Sequence, residues 1–216
     1  MIYRKGSRGE VVRQIQIALA GAGYRVFADG IFGSITEEAV MAFQRDHADK
    51  GLKVDGIVGP ATMAFLIPCR WKKSKRVITE IVVHCTDTKE YQDFSVADIR
   101  RWHTTPTSKG GRGWSDIGYH YVVYLDGSIH EGRSVDLVGA HVSGHNTHSI
   151  GVVYVGGRSA SGVLKDTRTE LQKVGLLSLL TDLKALYPQA KIYGHRDFDK
   201  SKACPCFDAK KEYMGL

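Results

Sequence analysis

No stretch of the 216 residues approaches the ~20 consecutive apolar residues of a membrane-spanning helix, so membrane insertion is not expected. The N-terminus, Met1-Ile2-Tyr3-Arg4-Lys5-Gly6, has no apolar run behind it and does not read as a secretory signal. Synthesis in a cytoplasm is the expectation. Cysteine is scarce: Cys69, Cys85, Cys204 and Cys206 are too few for a disulfide scaffold at this length. Cys204 and Cys206, with one residue between them, are poorly placed to bond each other. The four read as reduced thiols, one of them available as a ligand. Acidic residues are in deficit, 23 against 30 Lys and Arg, for a formal charge of +7. That excess attracts polyanions, among which nucleic acid, anionic lipid and bacterial cell wall all qualify. The one dense basic cluster, Arg70-Trp71-Lys72-Lys73-Ser74-Lys75-Arg76, reads as a solvated linker. No nucleic-acid recognition motif accompanies the charge, so no specific nucleic-acid partner is expected.

The chain is long enough for one large or two small domains. Residues 1–67 contain an internal echo. Ala28-Asp29-Gly30-Ile31-Phe32-Gly33-Ser34-Ile35-Thr36 recurs as Val54-Asp55-Gly56-Ile57-Val58-Gly59-Pro60-Ala61-Thr62. Each Asp-Gly is a turn signal, and a helix-like pattern follows each copy. Before the first copy, Val11, Val12, Ile15, Leu19 and Ala22 fall at the spacing of an amphipathic helix. The expectation is three short helices joined by Asp-Gly turns, without a catalytic constellation. The linker is placed at 68–76 and a second domain at 77–216.

In that second part the period changes. Residues 77–84 are β-branched and read as a buried strand. A helix is expected over 95–104, with Ser95 as N-cap. Asp126-Gly127 marks a hairpin. Further strands are expected at 150–155 and 190–193, a long helix at 169–187 and a short one at 207–213. This pattern is an α/β domain with a mixed sheet flanked by helices.

Three residues stand out for chemistry. His84 ends the first strand, His195 follows the short strand at 190–193, and Cys204 precedes Pro205 nine residues later. Two imidazoles and a thiolate suit zinc and leave its fourth position for water or substrate, which points to hydrolysis rather than architecture. Cys85, next to His84, should point to the opposite face of the strand.

Two resemblances extend this. Gly9-Glu10-Val11-Val12-Arg13-Gln14-Ile15-Gln16, the two Asp-Gly repeats, and Phe43-Gln44 between them resemble the small helical peptidoglycan-binding domain of cell-wall hydrolases. Val82-Val83-His84-Cys85-Thr86, Asp116-Ile117-Gly118-Tyr119-His120-Tyr121, Gly139-Ala140-His141, Asn146-Thr147-His148-Ser149-Ile150-Gly151-Val152 and Gly194-His195-Arg196-Asp197 with Lys202-Ala203-Cys204-Pro205 resemble the zinc N-acetylmuramoyl-L-alanine amidases. That family includes phage lysozyme-type amidases and peptidoglycan recognition proteins. The resemblance implies two domains, a small all-α three-helix peptidoglycan-binding domain and an α/β zinc amidase domain. It implies Zn2+ held by His84, His195 and Cys204, with Tyr119 and Lys202 catalytic and His141 contacting substrate. Lys200 and Cys206 are the nearest alternatives in register to Lys202 and Cys204. The implied reaction cleaves the amide between N-acetylmuramic acid and L-alanine. The alternative is a recognition protein that binds peptidoglycan without cutting it. The implied setting is a monomeric phage endolysin, made in the host cytoplasm and acting on periplasmic peptidoglycan once the membrane is permeabilised.

Overall fold

The structure is a computed structural model and describes residues 2–67 and 71–216. Cys69 lies outside the described residues. The chain divides into two compact units between Arg70 and Trp71.

The first unit holds three α-helices: α1 (Glu10–Gly21), α2 (Ser34–Asp46) and α3 (Pro60–Leu66). Val12, Ile15 and Leu19 of α1 pack with Val40 and Phe43 of α2, Leu66 of α3, and Phe32 and Val58 from the turns. Phe32 is fully buried, so its ring serves the core.

The sequence echo has a physical cause. Gln16, almost fully buried, donates from Nε2 to Asp29 Oδ1, the Ile31 carbonyl and Thr36 Oγ1, and accepts from the Gly30 N–H at Oε1. Gln44 repeats this knot with Asp55, Ile57, Thr62 and Gly56. In each copy the aspartate also accepts the N–H two residues on, closing the turn. A buried amide is tolerable only when its hydrogen-bonding groups are matched. The residues that recur in sequence are the partners that match it.

The second unit is built on a five-stranded sheet. Its strands are β1 (Glu80–Cys85), β3 (Tyr121–Val123), β4 (Ile129–Glu131), β5 (Ser149–Tyr154) and β7 (Lys191–Gly194), in the order β4-β3-β5-β1-β7. The β3–β4 pair is the antiparallel Asp126-Gly127 hairpin, and the other pairs are parallel. A short parallel pair, β2 (Thr88–Lys89) with β6 (Gly157–Arg158), stands apart from the sheet. The central strands are apolar throughout because a parallel sheet is buried on both faces. Helix α4 (Val96–Thr104) starts at a Ser95–Asp98 capping box, and α5 (Glu170–Leu186) at a Thr169–Gln172 box. Ile99 of α4 packs with Ile117, Val122 and Val153, while Leu176, Leu179, Leu180 and Leu183 are the buried stripe of α5. Two short helices, α6 (His195–Phe198) and α7 (Ala209–Glu212), complete the unit.

The first strand begins at Glu80 rather than Val77, whose side chain is exposed. The described part of the expected linker behaves differently from a solvated spacer. Trp71 packs edge-to-face on Tyr121, Ser74 Oγ donates to the Val135 carbonyl, and Tyr187 Oη accepts the Ser74 N–H. The Arg76 guanidinium donates to the carbonyls of Val135, Asn146, Thr147 and Ser149. Residues 71–76 are therefore built into the second unit through Trp71, Ser74 and Arg76, while Lys72 pairs with Asp136 and Lys73 and Lys75 stay exposed.

Candidate metal centre and active site

Strand β1 delivers His84 at its C-terminal end, next to β5 and, through Val83, to β7. Chain direction alone carries β7 to the same edge, where Gly194 gives way to His195 at the start of α6. The Asp197 carboxylate accepts the Gly194 N–H, fixing that corner. Cys204 arrives on the loop after α6. Its carbonyl accepts from the Arg196 N–H, and the next carbonyl, of Pro205, accepts from Tyr154 Oη. A side chain on Gly194 would meet the Pro205 ring at 2.6 Å, so the absence of a Cβ lets the loop close onto the strand.

These elements bring His84, His195 and Cys204 together, with their ligand atoms all within 4.8 Å of one another. Cys204 Sγ is 3.7 Å from His84 Nδ1. An ion at ~2.1 Å from nitrogen and ~2.3 Å from sulfur, with tetrahedral angles, sets such atoms ~3.6 Å apart. The donor set and its spacing fit zinc. The Cys85 N–H donates to Cys204 Sγ at 3.3 Å. Burial, with His141 and His195 nearby, pushes the pKa of His84 well below its ordinary value. Burial likewise lowers that of His195, with Asp199 opposing and the Lys202 charge assisting. Both rings are thereby neutral, as metal ligation needs.

The Tyr119 ring lies 5.1 Å from that of His84 and the His195 ring 4.9 Å. Burial first, and then the neighbouring Cys204 and Cys85, raise the Tyr119 pKa. The hydroxyl keeps its proton at neutral pH. Lys202 is exposed beside His195, close enough for its charge to act on that ring. Cys206 faces away from the ligand cluster, with its Sγ 3.8 Å from Cys85 Sγ and 3.4 Å from the Gly157 carbonyl. Cys85 is buried, its thiol close enough to both Cys204 and Cys206 for each to act on it.

His141 does not sit where a substrate contact was expected. It is 8% exposed, and both ring nitrogens are engaged. Nδ1 is 3.1 Å from His84 Nε2, and Nε2 is 3.3 Å from Ser149 Oγ. It stands against the ligand His84, between it and Ser149. Sequence inspection also passed over His103. Its Nδ1 accepts the Gly118 N–H, and its ring stacks near Tyr119 at 5.5 Å, so α4 braces the residue before the tyrosine.

Comparison with known proteins covers the stretch of chain that carries these residues. The family model described as N-acetylmuramoyl-L-alanine amidase matches residues 74–207. The chain belongs to the N-acetylmuramoyl-L-alanine amidase family. A second model, a peptidoglycan binding domain, matches residues 8–66. The amidase is 42% identical over 133 residues to an endolysin of Klebsiella phage KP32, covering 62% of this chain and 83% of that protein. It is 39% identical over 139 residues to the endolysin of Escherichia phage T7, covering 64% and 87%. Among solved structures, the endolysin and N-acetylmuramoyl-L-alanine amidase LysCS from Clostridium intestinale URNW aligns with a TM-score of 0.51 at 27% identity, over 64% of this chain and 82% of that one. The enzyme hydrolyses the amide between N-acetylmuramic acid and L-alanine in peptidoglycan. No helix among the described residues is long and apolar enough to cross a membrane.

Proposed function

We propose that this amidase is zinc-dependent, that His84 Nδ1, His195 and Cys204 Sγ hold the ion, and that Tyr119 and Lys202 act on the substrate. The observation that carries this is the convergence of two imidazoles and a cysteine sulfur at one sheet edge, with the Tyr119 ring against the first of them. When bound, the ion supplies Lewis acidity toward the scissile carbonyl and water. Tyr119, protonated, orients the attacking water or the carbonyl by donating a hydrogen bond. The Lys202 ammonium, near enough to His195 for its charge to be felt there, would offset negative charge growing on the carbonyl oxygen. The helical unit adds affinity for the same polymer by tethering. We place the enzyme in the lysis of the host wall from within, as a monomer that reaches periplasmic peptidoglycan after membrane permeabilisation.

The test joins product and metal. Digested walls should yield stem peptides with a free L-alanine N-terminus, read by mass spectrometry, and the protein should hold zinc by elemental analysis. Tyr119→Phe and Lys202→Ala should each retain zinc and lose about 10²–10³-fold in wall hydrolysis. Undiminished hydrolysis by both variants would remove the assigned roles.

A further inference from the structure

Four residues before His84 on β1, Glu80 meets two further histidines. Its Oε2 lies 2.9 Å from His145 Nδ1 and 3.3 Å from His148 Nε2. The three ligand atoms fall within 4.8 Å of one another. His145 and His148 flank a single 3₁₀ turn (Asn146–His148) that leads into β5, whose first residue pairs with Glu80. Among the described residues, the ion pairs of Glu80 are with these two histidines alone.

We propose that Glu80, His145 and His148 form a second divalent-metal site, suited to Zn2+ and separate from the catalytic one. Two imidazoles and a carboxylate are a sufficient ligand set for zinc, with solvent in the remaining position. Tetrahedral ligand atoms at ~2.1 Å from an ion stand ~3.4 Å apart, against 2.9 and 3.3 Å from Glu80 to the two rings and no more than 4.8 Å for any pair. Binding requires lone pairs on His145 Nδ1 and His148 Nε2, so the protons move to the other ring nitrogens. For His148 that partner exists: Nδ1 is 3.2 Å from Thr147 Oγ1, which can accept it. The His145 ring packs, tilted, against Phe198 with ring centroids 3.9 Å apart. Phe198 is the last residue of α6, and the catalytic ligand His195 is the first. An ion here would tie the 145–148 turn to the start of β1 and, through that contact, brace α6. Strand rise puts Glu80 and His84 ~13 Å apart, so no ligand is shared between the two sites.

The experiment uses the full chain, freed of metal and dialysed to equilibrium against Zn2+ and, separately, Co2+. The wild type is expected to hold two equivalents of zinc, and His145→Ala/His148→Ala one. With cobalt, one equivalent should carry the thiolate-to-metal absorption of Cys204, and the other only weak ligand-field bands. His148→Ala, a partly exposed position, should lose the second and keep the first, which also shows that the fold is intact. A wild type that holds one equivalent, a double variant that still holds two, or thiolate character on both ions would overturn the site. The last result would place the second ion at Cys85 and Cys206. Presence of the thiolate band reports the catalytic site independently.

Discussion

His84 Nε2 lies 3.1 Å from His141 Nδ1, and with Nδ1 of His84 as the proposed zinc ligand its proton belongs on Nε2. With its proton on Nε2 and donated to His141, His84 turns the Nδ1 lone pair toward Cys204 Sγ. His141 passes the order on, because its own proton then sits on Nε2, facing Ser149 Oγ. A ligand held this way loses little freedom when metal binds.

Replacing His141 with alanine removes the acceptor and leaves the ring of His84 free to turn. Metal affinity should fall about 10–100-fold, measured by competition with a chromophoric chelator. Activity should recover in part at saturating metal. An unchanged affinity would mean that the packing around His84, and not this hydrogen bond, sets its orientation.

Gly151, on β5, faces the same ring. A Cβ there would stand 2.5 Å from His141 Cδ2, closer than atoms tolerate, and the strand backbone cannot retreat while paired to β1. Gly151→Ala should displace His141 and weaken metal binding without touching a ligand. Combining it with His141→Ala should give less than the sum of the two effects, since the clash disappears with the ring. Additive losses in the double variant would contradict the shared route.

Acid should destabilise the catalytic unit well before its carboxylates protonate. The buried His120 accepts the Gly151 N–H at Nδ1 and donates to the Leu137 carbonyl from Nε2. Burial lowers its pKa from 6.5 to about 4. Burial, with the charges of Arg112 and Arg133, lowers that of His103 to about 4 as well. Between these values the unfolded chain takes up protons that the folded chain refuses. Stability is therefore fully present above pH 6.5 and declines as pH falls toward 4. His120 alone should remove on the order of 3 kcal/mol across that window. Urea midpoints measured between pH 7.5 and 4.5 would show it, and a flat profile would count against it.

In the helical unit, Gln16→Ala and Gln44→Ala should each cost about 2–4 kcal/mol, because each strands several buried partners at once. Hydrogen exchange in α1 and α2 would report the loss. The two variants should be nearly equivalent, and a large difference between them would break the correspondence of the two knots.

Much of this was legible in the chain. His84 and His195 could be placed at strand ends because apolar runs stop there, and Cys204 because a proline follows it. Ser95 announced its helix as an N-cap, while the capping partners of Ser95 and Thr169, Asp98 and Gln172, came only with the structure. The Asp-Gly echo was plain, but its glutamines were not. A polar side chain on a buried helix face interrupts the apolar period and gives no sign of the turn it will meet. His141 and His103 were obscure for the same reason. Their partners, His84 and Gly118, are distant in sequence, and only the fold decides that a histidine stands against a ligand. The basic stretch up to Arg76 misled because charge is a surface signal, whereas a guanidinium can be absorbed by carbonyls at the end of a sheet.

Helix α2 belongs to both knots of the first unit: Thr36 near its start closes one, and Gln44 near its end opens the other. Its length is consequently a gauge. Inserting one residue between them would swing Gln44 by about 100° around the helix axis and aim its amide at solvent. The two halves of the unit are thus geared rather than strung together, and drift in the length of α2 is closed to this lineage even where its outward-facing residues are free to change.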